Sequence, residues 1–176
     1  MASHTTLTGS AGQHLVMAEL LRRGYIAALA PEGVPMTDIL VTDLKGSRLC
    51  SIQVKTRRDK GSDGGWHMSA KHEETSDDKF FYCFVDLGKE GLGIPKYWIV
   101  RSDVVARTLK ATHKAWLQKE GKKGQKHKDG PMRRFQPDYK DKYPTNKNPY
   151  PLGWLDEHRD AWETLKLDVA PTMNES

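Results

Sequence analysis

Residues 37–55 read T-D-I-L-V-T-D-L-K-G-S-R-L-C-S-I-Q-V-K. Two apolar runs, Ile39 to Val41 and Leu49 to Thr56, flank a polar Lys45-Gly46-Ser47 turn, which is the pattern of a β-hairpin. Asp38 opens the first run, and Gln53 and Lys55 sit near the end of the second. Side chains alternate along a strand, so Ser51, Gln53 and Lys55 share one face while Ile52 and Val54 take the other. Such a hairpin brings a carboxylate, an amide oxygen and an ammonium to one sheet edge. That chemistry suits a divalent cation and a phosphodiester.

Upstream, Ala11 to Arg23 has helical periodicity in Val16, Met17, Leu20 and Leu21, with Ser10 as N-cap and Gly24 as stop. On a helical wheel Gln13 falls in the centre of the apolar stripe, between Val16, Met17 and Leu20, while Glu19 points ~120° away. A polar side chain on a buried face needs a partner, either a nearby backbone group or a functional site. Tyr25 to Ala30 reads as a strand ended by Pro31, and a Gly/Pro loop then delivers the chain to Asp38.

Downstream, Arg57 to Gly65 reads as a loop and Trp66 to Ser69 as a short edge strand. Lys79 to Leu87 and Lys96 to Val100 read as two strands of a hairpin. Ser102 begins a second helix with Val105, Leu109, Thr112 and Trp116 on one stripe, ending near Gly121. Lys122 to Pro151 lacks periodicity and reads as a long loop. Leu155 to Leu165 suggests a last short helix with Leu155, Trp162 and Leu165 inward. The order predicts an α/β fold, a central mixed β-sheet flanked by helices.

The chain has 176 residues and a formal net charge of +5. The charge is uneven: between Arg107 and Lys142 stand twelve Lys or Arg against four Asp or Glu, a surplus of eight. A local surplus of that size suits a polyanion, although a charge run is also what a solvated basic loop looks like. Lys122, Lys123, Lys126, Lys128, Arg133 and Arg134 are the candidate nucleic-acid contacts. Phe135 and Tyr139, interleaved with them, are read as pinning this arm to the protein. Two cysteines, Cys50 and Cys83, are too few for a disulfide framework or an all-cysteine zinc site and are expected as buried thiols. The N-terminus is polar and no run approaches ~20 apolar residues, so a soluble, cytoplasmic protein without a membrane span is expected. Gly-rich phosphate loops, dinucleotide fingerprints and Ser/His/Asp groupings are absent from the sequence.

Residues 9–101 resemble the PD-(D/E)xK nuclease superfamily, the restriction-endonuclease-like fold. The segment G-S-A-G-Q-H-L-V-M-A-E-L-L-R-R-G-Y is similar to the first helix of archaeal Holliday-junction resolvases, and T-D-I-L-V and I-Q-V-K-T are similar to the two motif strands. The resemblance implies that Asp38 and Gln53 hold Mg2+ or Mn2+, that Lys55 orients the attacking water, and that Gln13 supports the site from the helix. It implies a nuclease-like domain over residues 1–120, with residues 121–176 forming a basic arm and C-terminal helix packed on it. DNA, or RNA, is the expected partner, and a symmetric dimer the expected assembly.

Two departures change the chemistry. Gln53 stands where the motif has an acid, and Gln13 where the resolvase helix has Glu. Thr37 replaces the motif proline, with Pro35 just upstream. Asp38 is then the one charged ligand, with the Gln53 amide oxygen and the Val54 carbonyl as neutral additions. Magnesium often binds one or two carboxylates plus waters and substrate phosphate, so such a site depends on the substrate to complete it. Catalytically inert DNA binding and protein docking remain the alternatives. Ser51 is read as a phosphate contact or a polar filler. Lys71 and His72 are read as a solvated loop in preference to a DNA-backbone contact, and Trp66 as a cap on the core in preference to base stacking with His67.

Overall fold

The computed structural model describes residues 3–58, 64–121, 123–140, 143 and 147–168. The first helix, α1, spans His4–Arg22, roughly two turns longer at its start than periodicity suggests. Ser3, not Ser10, is the N-cap, and its Oγ accepts the Thr6 N–H at 3.1 Å. Threonines and Gly9 are poor helix formers, which hides this turn in the sequence. Burial of Thr8, whose Oγ1 donates to the His4 carbonyl at 2.8 Å, helps hold the turn. The helix closes on Gly24 at φ 83°, with the Tyr25 N–H reaching the Leu20 carbonyl.

The strands are β1 Ile26–Leu29, β2 Ile39–Thr42, β3 Leu49–Arg57, β4 Trp66–Ser69, β5 Phe80–Asp86, β6 Lys96–Arg101 and β7 Met132–Phe135. Five form one sheet in the order β1-β2-β3-β5-β6, in which only the β3–β5 pair is parallel. The crossover from β3 to β5 carries β4 and a 3-10 turn, Ala70–Glu73. The second helix, α2, spans Ser102–Gln118. This is the expected α/β architecture: a mixed sheet flanked by helices.

Both faces of the sheet are covered, so β5 is buried at six successive positions. On one face Phe81, Cys83 and Val85 join Val16 and Leu20 of α1, Ile39, Val41, Ile52 and Val54. Trp162, Leu165 and Leu167 complete this core from the C-terminal segment. On the other face Phe80, Tyr82 and Phe84 pack with Val105 and Leu109 of α2, and with Trp66 and Phe135. Phe84 stacks on Phe135 at 4.2 Å between ring centroids, a contact worth about 1 kcal/mol beyond area burial. Cys50 and Cys83 are free buried thiols, as expected.

The region read as an aperiodic loop contains β7, which pairs antiparallel with β4 in a separate two-stranded sheet. Met132-Arg133-Arg134-Phe135 escapes a hydrophobic pattern because its inward residues are an arginine and a phenylalanine. Arg133 is 7% exposed and ion-paired with Glu73. The C-terminal helix is in fact two 3-10 turns, Asp156–His158 and Trp162–Leu165. Asp160 at φ 51° breaks any continuous helix, and its N–H bonds the Tyr97 carbonyl of β6 instead. Leu155, Trp162 and Leu165 do point inward. No helix among the described residues is long and apolar enough to cross a membrane.

Candidate functional site

The hairpin turn between β2 and β3 is built on a residue that the sequence reading passed over. Asp43 is 1% exposed, and its carboxylate accepts the backbone N–H groups of Lys45 and Ser47 and the Ser47 hydroxyl. The Ser47 bond first, and the backbone bonds with it, hold this carboxyl below the usual carboxylate range. The turn sets register: Ile39 faces Ile52, and Leu40 faces Ser51. Asp38 therefore stands where β2 begins, beside the stretch of β3 that carries Gln53, Val54 and Lys55.

Because β2 starts there, the edge of β3 beyond Ile52 is open, and Asp38 fills it. Its Oδ2 accepts the Val54 N–H at 2.7 Å, and its Oδ1 accepts Gln13 Nε2 at 2.9 Å. A strand residue sends its N–H and C=O out on the same edge, so the Val54 carbonyl leaves β3 toward this edge as well. Gln13 reaches Asp38 because α1 lies very close to β3. A Cβ built on Gly12 would meet Thr56 Oγ1 at 1.9 Å, so only glycine permits that approach. The buried stripe of α1 runs Thr8, Gly12, Val16, Leu20, with Gln13 half-buried at its margin rather than at its centre.

Gln53 is half-buried, and its Oε1 is shielded from solvent with no hydrogen-bond partner among the described residues. An orphaned amide oxygen of this kind asks for a ligand or water. Lys55, two residues on, has no ion pair among the described residues. Burial, chiefly, holds its ammonium below the ordinary lysine range, Asp38 acts in the opposite sense, and Lys71 adds to the depression. On the neighbouring strand the Cα partner of Gln53 is Tyr82, whose Oη lies 2.8 Å from His72 Nδ1. His72 is buried, and burial, aided by Lys55 and Lys71, lowers its pKa to about 4, so the ring is neutral near pH 7.

A polar cavity of about 360 Å3 opens over Asp38, lined by Ser10, Gln13, Thr37 and the loop Pro31 to Val34. Glu32 on this loop is a rim carboxylate that the hairpin motif does not include. A second cavity, about 250 Å3, lies between α2 and β7. Thr112, Arg133 and Tyr139 in its wall already bond Thr108, Glu73 and Arg134, which makes that space a packing feature.

Among the described residues no group of three or more His, Cys, Asp or Glu is placed to hold a metal. The oxygens available are hard ones: Asp38 at the start of β2, each of whose oxygens retains a lone pair, and Gln53 Oε1 on the neighbouring stretch of β3. They fit Mg2+ or Mn2+ that keeps waters and takes substrate oxygens, and do not fit a closed protein cage.

The basic arm is more ordered than a tail. Lys123, Lys126 and Lys128 are exposed, and the backbones of Glu120 and Lys126 form an isolated antiparallel β-bridge across a tight turn. Arg133 does not serve as expected, because its guanidinium is committed to Glu73 and the Gly130 carbonyl. Arg134 is half-buried, and Lys122 lies outside the described residues. Phe135 and Tyr139 are fully buried pins, and Trp66 is a buried core residue.

No family model matches the chain, and no curated protein matches its sequence. A solved structure does: a bacterial homing endonuclease, I-Ssp6803I, superposes with a TM-score of 0.51 over 94% of each chain, at 15% identity. The fold is nuclease-like. At that identity the likeness speaks for architecture alone.

Proposed function

We propose that the protein is a metal-dependent DNA phosphodiesterase of the PD-(D/E)xK type with a D…QxK variant site. The observation that carries this reading is the carboxylate of Asp38, oriented by Gln13 and Val54 at the start of β2, next to the stretch of β3 that bears Gln53 and Lys55, which have no hydrogen-bond partner at Oε1 and no ion pair among the described residues. Asp38, Gln53 and the Val54 carbonyl would hold Mg2+ or Mn2+, which would supply Lewis-acid polarisation and a water of lowered pKa. Gln13 fixes the Asp38 rotamer through its amide. Lys55 positions water and stabilises charge developing on the phosphoryl oxygens. The exposed Lys123, Lys126 and Lys128 hold the polyanion by charge. DNA is favoured over RNA because the structural neighbour is a homing endonuclease.

A single carboxylate also favours a second reading, in which the fold binds DNA without cutting it. Plasmid cleavage separates the two. With Mg2+ or Mn2+ the wild type is expected to nick or linearise supercoiled DNA, and Asp38→Ala and Lys55→Ala to lose that activity by at least 100-fold, the usual scale for an electrostatic catalytic group. Salt-dependent binding with no cleavage under any divalent cation would leave the inert binder.

A further inference from the structure

The loop joining β5 to β6 reads G-K-E-G-L-G-I-P over residues 88–95. Its Leu92 and Ile94 are each 88% exposed, more than any other large apolar side chain among the described residues. The backbone that carries them is tied down. The Gly93 N–H bonds the Leu87 carbonyl at 2.9 Å, and the Leu92 N–H bonds the Lys89 carbonyl at 3.1 Å. Gly88 and Gly93 pass so close that a Cβ on Gly88 would meet the Gly93 Cα at 3.0 Å. An aliphatic pair held out in water by its own backbone gains free energy only when another molecule covers it.

Position and charge name the occupant. The Leu87 N–H bonds the Arg57 carbonyl at 3.0 Å, so the loop grows from the end of β3. Arg57 stands two residues past Lys55, about 7 Å along the strand or about two base-pair rises. Arg58 lies against the loop, since a Cβ on Gly91 would meet its Nε at 2.9 Å. Lys89 and Lys96 flank the apolar pair in sequence, both exposed, and Glu90 is the one acid in this stretch. Arg58, Lys89 and Lys96 make no ion pair among the described residues, whereas Asp86 is taken by Arg57. Apolar tips rimmed by cations match a duplex, which carries phosphates outside and stacked bases within. A second copy of the loop would set like charges against each other.

We propose that Leu92 and Ile94 form a wedge that enters a base step of bound duplex DNA and partly unstacks it, while Arg58, Lys89 and Lys96 hold the flanking phosphates. The proposal rests on the DNA-binding part of the functional reading and needs neither metal nor cleavage. Parting two base pairs also untwists them. The full chain is bound to closed-circular DNA in EDTA, the circle is relaxed by a metal-independent type I topoisomerase, and the protein is then stripped away. A linking-number deficit that grows with bound protein is expected. Leu92→Ala/Ile94→Ala is expected to lose the deficit yet keep the salt slope of DNA binding, because no cation is removed. Leu152→Ala, which trims another exposed leucine, is expected to keep both. All three side chains are exposed, so unaltered melting temperatures are expected to show that the variants are folded. Wild type that binds with no deficit, or an equal deficit in the double variant, overturns the wedge and leaves the DNA reading standing. No DNA binding even at low salt removes that reading, and the wedge with it. Self-association lost in the double variant, with no deficit in the wild type, assigns the tips to a second copy instead.

Discussion

Replacing Gln53 by Glu turns an amide oxygen that lacks a partner among the described residues into a carboxylate on the strand next to Asp38. The change is nearly isosteric, so its effect is electrostatic. Mg2+ affinity is expected to rise at least tenfold, measured by titration calorimetry, and no gain would remove Gln53 from the ligand set. Asp38→Asn tests the other side of the site. It keeps the shape but loses the charge, and sets an amide against the Val54 N–H and the Gln13 amide. A loss on the order of 2 kcal/mol in unfolding free energy is expected from the broken charged hydrogen bonds, alongside loss of metal binding. Gln53 and Lys55 were legible as sharing a face because a strand alternates its side chains, and the hairpin between β2 and β3 was legible as setting Asp38 next to their stretch of backbone. The Gln13 to Asp38 bond was only half legible, since a helical wheel places Gln13 near the core face without naming its partner. Glu32 was not legible as a neighbour of the site at all, because a loop has no periodicity to project it.

At the scale of elements, the contact between α1 and β3 decides whether the site is assembled. Gly12→Ala puts a methyl group into Thr56 and pushes the helix off the strand. A destabilisation of about 1–3 kcal/mol is expected in denaturant unfolding, the usual cost of overpacking, together with loosened metal binding as Gln13 withdraws from Asp38. Gly12→Ala combined with Thr56→Ala should recover part of both. The β2–β3 and β5–β6 hairpins were legible from turn residues between alternating runs. β7 was not, because its inward arginine reads as a polar residue until Glu73, sixty residues away, is known to meet it. Arg133→Ala is expected to cost about 3–5 kcal/mol, since it leaves the Glu73 carboxylate partly buried and unpaired. A phosphate-contacting arginine lost from a surface would cost almost nothing in folding.

At the scale of the whole molecule, two cores sit back to back on one sheet, and the second contains a titratable group. His72 faces Tyr82, with Lys55 and Lys71 as the neighbouring charges, and its folded pKa of about 4 lies below the 6.5 of the free side chain. A depressed pKa means that its stabilising share is fully present above pH 6.5 and is lost as the pH falls toward 4. The loss is on the order of 2 kcal/mol after solvent screening. Chemical denaturation at pH 7 and pH 4.5 should show this drop in the wild type and a smaller one in His72→Gln. An equal drop in both would assign acid sensitivity elsewhere. Asp43, held low by Ser47, acts in the same direction but only below the ordinary carboxylate range.

Hydrolysis by this site requires a cation seated between Asp38 and Gln53. Crystals of the protein with bound duplex DNA, soaked in Mn2+ and measured at the manganese absorption edge, test this directly. The account predicts one anomalous peak within coordination distance of an Asp38 oxygen, Gln53 Oε1 and a phosphate oxygen. DNA bound with no peak at that position, or with manganese bound only elsewhere, would contradict it.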